Sequence, residues 1–191
     1  MIDVQAAVSQ ERLKFTYEDY LKLPDDGKVY QIIDGEVFMA PAPTPKHQMM
    51  CGRIWSVLSN FIRLRELGEV IFAPCDVVLS EENVVQPDIL FISSQRAHII
   101  GERYISGPPD LVVEVLSPGT EKIDRVLKRG LYERYGVKEL WFVSPERREI
   151  QVLRLVRGKF VEHGRFGVGE TLISPLLPGL KFDIDEVFAD R

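Results

Sequence analysis

Glu114 stands in the middle of the apolar run Leu111, Val112, Val113, Val115 and Leu116. Burying a carboxylate without a partner costs several kcal/mol, so this residue calls for a cation or a set of hydrogen-bond donors. A second acidic residue, Asp88, directly follows a proline and opens the apolar stretch "DILFI". Two neighbouring strands that each offer a carboxylate can hold a divalent cation between them, because Mg2+ and Mn2+ prefer hard oxygen ligands. Plainer readings stand beside this one. Asp88 could be a turn or strand-start residue, and Glu114 could pair with an arginine such as Arg125 in a purely structural contact.

Three further residues could take part in such chemistry. Lys128 has Asp124 and Tyr132 four residues to either side, a spacing at which helical side chains meet, although a lone helix lysine also reads as a surface charge. Glu36 follows the Asp34-Gly35 pair, a place where a polar residue is ordinarily solvated. His47 comes just after a proline-rich connector at the start of a long helical pattern, where an imidazole could exchange a proton or simply cap the helix. His98 and His163 have no metal-ligand partner at short range and read as structural or surface residues. Cys51 and Cys75 are too few and too far apart for a zinc cluster, and read as small buried hydrophobes.

The elements that must position these residues are legible in outline. Thr16 followed three residues later by Asp19 is a near capping box, so "TYEDYLKL" predicts a short helix. "VYQIIDGEVFMA" carries Asp-Gly between two alternating apolar runs, a hairpin signal. After the stiff "PAPTP" connector, Met49, Ile54, Val57, Leu58, Phe61 and Leu64 recur at helical spacing up to Gly68. "EVIFAPCDVVLS" predicts a strand or a pair broken at Pro74, "DILFIS" a short strand, and "DLVVEVLS" a strand covered on both faces. Residues 123 to 135 have helical spacing and stop at Gly136, and "ELWFVS" is again a strand. Strand, helix, strand in that order implies a right-handed parallel crossover. "REIQVLRLV", "KFVEHGRF" and "ETLIS" read as hairpins, and "DIDEVFA" as a closing helical turn. The pattern describes an α/β fold, a mixed layer with an antiparallel hairpin portion.

The chain has 191 residues, of which 45% are hydrophobic and 28% charged. That suits one domain, expected over residues 15–191 after a flexible segment at 1–14. No apolar run approaches the roughly 20 residues of a membrane helix. The N-terminus lacks a basic start followed by an apolar core, so a cytoplasmic location is expected. A net charge of -5 argues against wholesale coating of nucleic acid. The stretch from Glu121 to Arg134, with five basic and three acidic residues, is only a weak patch.

The order of these pieces is specific: an Ile-Asp-Gly-Glu hairpin, a Pro-x-His-Gln helix start, a Pro-Asp strand, "VVEVLSPGT" and "DRVLKRGLYERYGVKELWFVSP". Together they resemble the Uma2 family of restriction-endonuclease-like proteins, in the PD-(D/E)XK nuclease superfamily, over roughly residues 15 to 188. The resemblance implies a restriction-endonuclease-like α/β core in which a mixed sheet, flanked by helices, carries metal-binding carboxylates. It makes Asp88 and Glu114 metal ligands for Mg2+ (or Mn2+), with Glu36 completing the shell or orienting water, and His47 contacting the phosphate or the leaving oxygen. The superfamily lysine would fall two residues after Glu114, where this chain has Leu116; Lys128 on the next helix is the natural replacement. Relatives often carry an acidic residue where this chain has Gln31. The implied activity is that of a metal-dependent DNA endonuclease, with nucleic acid as partner and a homodimer as one arrangement. The other reading is a nuclease-like fold retained without turnover as a nucleic-acid-binding or protein-interaction module.

Overall fold

Asp34 and Gly35 both adopt left-handed dihedrals, with φ of 52° and 80°, as a type I′ turn requires. They join β1 (Val29–Ile33) to β2 (Glu36–Ala40) in an antiparallel hairpin. This is a computed structural model that describes residues 13–189; of the flexible segment expected at 1–14, residues 1–12 lie outside the described residues. Ahead of the hairpin, α1 (Tyr17–Tyr20) is opened by the expected capping box, with Asp19 Oδ2 accepting from the Thr16 amide at 3.0 Å. After it, α2 (Pro45–Leu64) begins at the N-cap Thr44 with Pro45 in its first turn, where a proline's missing amide costs nothing. Its apolar stripe buries Met50, Ile54, Leu58 and Ile62.

The "EVIFAPCDVVLS" segment is a pair of strands, β3 (Gly68–Phe72) and β4 (Val77–Ser80), parted around Pro74. The short β5 (Asn83–Val85) and β7 (Ile105–Ser106) were not foreseen, nor was the 3-10 turn at 94–99 that lies between β6 (Ile89–Ser93) and β7. β8 (Leu111–Val115) is buried at every position, as its unbroken apolar run predicts. A π-helical segment at 123–128 runs into α3 (Arg129–Tyr135), which ends at Gly136 with φ of 84°. There follow β9 (Glu139–Ser144), the hairpin β10 (Glu149–Val156) with β11 (Lys159–Gly167), the pair β12 (Thr171–Ile173) and β13 (Lys181–Asp183), and α4 (Ile184–Phe188).

These strands form a six-stranded sheet in the order β11-β10-β9-β8-β6-β3, a five-stranded sheet in the order β2-β1-β5-β4-β7, and the small β12-β13 pair. The larger sheet is mixed: β8 and β9 are parallel across the helical crossover, and its other pairs are antiparallel. One face packs Ile89, Val113 and Trp141 against α2, α4 and the β12-β13 pair. The other packs Leu90, Val112 and Phe142 against Leu131 and Tyr132 of α3 and against Ile33, Val77 and Val85 of the second sheet. Each such fully buried side chain contributes about 1.5–3 kcal/mol, so β8 is anchored from both faces. An ionised residue in it must be there at the expense of that burial.

Candidate active site

β6 and β8 pair antiparallel with Ile89 opposite Val113 and Leu90 opposite Val112. Continued by one residue, that register sets Asp88 across from Glu114, and directly opposed residues of an antiparallel pair present their side chains on the same face. A hydrogen bond from the Val115 amide to Asp88 Oδ2, 2.7 Å, ties the two chain segments at this point. Asp88 and Glu114 both line one cavity of about 180 Å³, together with His47, Asp124, Lys128, Gln31 and Gln86.

Glu114 is 2% exposed and does not pair with Arg125. Arg125 turns away to Glu121 at 2.7 Å and Gln151 at 3.0 Å and lies over the Phe142 ring. The partner of Glu114 is Lys128, whose Nζ is 3.1 Å from both carboxylate oxygens. The expected meeting along the helix also occurs: Lys128 Nζ lies 3.1 Å from Asp124 Oδ1, while Tyr132 reaches past it to donate to Glu114 Oε1 at 2.6 Å. Lys128 is therefore no surface charge; it is 3% exposed, at the end of the π-helical segment, a distortion that is frequent at functional sites. Leu116, which stands where the superfamily lysine would fall, is buried in the core.

Charge sets the protonation of this cluster. Burial pushes the Glu114 carboxyl up, to about 8, against the pull of the Lys128 ammonium, and the negative charges of Asp124 and Asp88 add to the rise. Burial acts to lower the Lys128 pKa, but Glu114, Asp124 and Asp88 outweigh it and raise it, so the ammonium stays charged. The Tyr132 phenol is held far above its usual range by burial and by Glu114, and remains a donor. Three carboxyl groups, those of Asp88, Glu114 and Asp124, thus share the cavity with the one ammonium of Lys128, and a divalent cation that displaced the Glu114 proton would complement them.

His47, from the first turn of α2, joins from the other side of the sheet. Its Nε2 is 3.0 Å from the Val115 carbonyl and 3.3 Å from Asp88 Oδ2. Two acceptors facing one nitrogen require Nε2 to carry the proton, which leaves Nδ1 to accept from the Cys51 thiol at 3.5 Å. Burial would lower the imidazole pKa, but the hydrogen bond and charge of Asp88 raise it. Burial and the nearby carboxylates keep Cys51 a thiol. With both ring nitrogens engaged, His47 holds the Asp88 carboxylate in place. Cys51 was expected only as a buried hydrophobe; its spacing of four from His47, one helical turn, was the signal that it would reach the site. His47, Cys51 and Asp88 together have donor atoms within 4.8 Å of one another.

Glu36 is not brought into this constellation. It is exposed and lies outside the cavity lining. The hairpin register explains why: Glu36 pairs with Ile33 beside the turn, whereas Gln31 and its partner Phe38, two residues further along the strands, reach the cavity. At about 3.3 Å per residue that is a displacement of more than 6 Å. Gln31, where relatives often carry an acidic residue, is buried at the cavity with its Oε1 accepting from the Gln86 amide at 3.1 Å.

Among curated proteins none matches this sequence. A solved structure described as that of "a putative nuclease belonging to DUF820 from Anabaena variabilis" is similar, with a TM-score of 0.75 and 19% identity, covering 91% of this chain and 97% of that one. At that identity the likeness speaks for the fold, which is restriction-endonuclease-like. The family Uma2, described as "Putative restriction endonuclease", matches residues 17–185, and with Asp88, Glu114 and Lys128 gathered at one cavity of such a fold, the chain belongs to the Uma2 family.

Proposed function

We propose that the chain is a divalent-metal-dependent phosphodiester hydrolase that cuts nucleic acid, with DNA as its substrate. The observation that carries the reading is the gathering of three carboxyl groups, those of Asp88, Glu114 and Asp124, beside a single buried ammonium at the wall of an open cavity. The donor set fits a hard cation: the carboxylates of Asp88 and Glu114 are the oxygen ligands that Mg2+ and Mn2+ take. When bound, such an ion supplies Lewis acidity toward a phosphoryl oxygen and acidifies a water.

The chain's own residues do the rest. Lys128 keeps an ammonium at the cavity floor, where it offsets the charge that develops on the phosphodiester; fixed charge of this kind needs no reorganisation during the reaction. Asp124 and Tyr132 hold that arrangement from the same helix, and His47 and the Val115 amide lock the Asp88 carboxylate in place. Glu36 takes no part as a ligand.

Titration calorimetry with Mn2+ on the wild type beside Asp88→Asn tests the site without knowledge of the substrate. Saturable binding lost in the variant is expected, together with DNA cleavage that Glu114→Gln lowers by about 10²- to 10³-fold or more while its melting stays cooperative. Cleavage at the wild-type rate in either variant would sink the assignment. Ion binding without turnover on any DNA or RNA would favour a binding module built on the same fold.

A further inference from the structure

The cavity has two unlike walls. The carboxylates and Lys128 make up one part of its lining; another part is apolar and open to solvent. Phe72 is 54% exposed and Met39 59% exposed, and both line the cavity with Phe38 and the connector prolines Pro41 and Pro43. Phe72 ends edge strand β3 opposite Ile89, and the next residue, Ala73, donates its amide to the Asp88 carbonyl at 2.9 Å. The ring thus lies on the α2 face one residue along from Asp88, and both line the same cavity at the end of the sheet. It is also held: Trp55 packs edge-on against it with centroids 5.4 Å apart, and the indole is pinned by its Nε1 donating to the Val70 carbonyl at 3.2 Å.

Cationic contacts are scarce in the same place. Among the described residues lining the cavity, His47 and Lys128 are the basic ones. Lys128 is committed to Glu114 and Asp124, and His47 to Asp88 and the Val115 carbonyl. A duplex is gripped chiefly through its phosphates by exposed Lys and Arg, and this cavity offers no such grip. Proteins that take single strands supply affinity instead through aromatic platforms on which bases stack. The volume of about 180 Å³ is below the roughly 300–1,000 Å³ of pockets that enclose drug-sized ligands, and suits a single heterocycle.

We infer that Phe72, braced by Trp55, is a stacking platform for an unpaired nucleobase next to the scissile phosphate, and that the substrate is a single-stranded or locally unpaired nucleic acid. The inference rests on the nuclease reading above and narrows its substrate class. A strand whose phosphodiester meets Asp88 and Glu114 places an adjacent base against Phe72 and Met39. A base still paired and stacked in a duplex cannot enter the cavity without being extruded.

The test compares binding, by fluorescence anisotropy, of a labelled oligothymidine and of a blunt duplex of equal length. Both are measured in EDTA and again in Ca2+, with wild type, Phe72→Ala and Phe72→Tyr. The single strand is expected to bind tighter than the duplex, and Phe72→Ala to weaken it by about 5- to 100-fold. Phe72→Tyr, which keeps the ring, should restore it, and thermal melting of all three proteins should coincide because the side chain is more than half exposed. Equal affinity for the two forms, or a Phe72→Ala effect within twofold, overturns the inference while leaving the nuclease reading intact. That reading fails separately, through Asp88→Asn retaining ion binding and cleavage. Absence of binding to either form overturns the inference, and so does a wild-type dimer that Phe72→Ala converts to monomers, since the apolar wall would then be a subunit contact.

Discussion

Strand β8 carries a buried acid at each end, and the two are built differently. Asp110, just ahead of the strand, is 1% exposed and is met by Lys138 at 2.7 Å, by Arg96 at 3.2 Å and by the Ser93 amide at 2.8 Å. Burial acts to raise its pKa, but the Lys138 contact, the Ser93 amide and Arg96 together lower it. Glu114, four residues on, shares one ammonium with another carboxylate, and burial wins: its pKa is raised. Asp110 is neutralised by two cations and joins the 3-10 turn and β9 to the strand. Glu114 shares its single cation with Asp124 beside a cavity. Burial alone thus does not separate the two carboxylates; the balance of charge around each does.

Removing the cation at the Glu114 end gives the largest expected effect. Lys128→Met preserves bulk and should lower turnover by about 10²- to 10³-fold, while Mn2+ affinity by calorimetry holds or rises, because the carboxylates lose their competing charge. Loss of metal binding in this variant would mean that the lysine organises the site and takes no part in the chemistry. The Asp110 end should answer in the opposite way. Asp110→Asn is expected to cost about 1–3 kcal/mol in urea unfolding, since it strips a partner from two cations and an amide, with ion affinity unchanged. The stability from Asp110 is present above the ordinary carboxylate range and fades as pH falls through its lowered pKa.

The smallest effect is in pH. A carboxyl raised in the folded state adds stability that is complete below its unfolded value and is lost as pH climbs through the folded one. For Glu114 that window runs from its ordinary value of 4.5 to about 8. A divalent ion binds the ionised form and displaces the proton. Mn2+ affinity should therefore rise by up to about tenfold per pH unit below 8 and flatten above it, with proton release seen by calorimetry in buffers of different ionisation enthalpy. A flat profile across that range would show that Lys128 keeps Glu114 ionised after all.

Much of the fold was legible because its signals are local. Asp34-Gly35 set a turn through backbone dihedrals, Thr16 and Asp19 a helix start through a hydrogen bond three residues long, and the apolar run of β8 a strand covered on both faces. The short strands β5 and β7 were not legible, since strands of 3 and 2 residues exist only through their neighbours. At the site, Asp88 and Glu114 were picked out from residue type and position, and Lys128 from the resemblance. Glu36, named with them, lies two residue pairs from the rung that lines the cavity, because the turn signal locates a hairpin without saying which rung of it faces a cavity.

What the sequence determined by itself was that a carboxylate lies in a strand too apolar to tolerate it alone, and that a helix with Asp124, Lys128 and Tyr132 on one face follows. The tertiary structure decided the pairing of β6 with β8 that brings Asp88 opposite Glu114, the choice of Lys128 over Arg125 as partner, the commitment of both nitrogens of His47, and the apolar wall around Phe72. These are contacts between residues 14 to 68 positions apart. Dihedral preference and periodicity reach only a turn or two along the chain, so such contacts are settled by how whole faces pack.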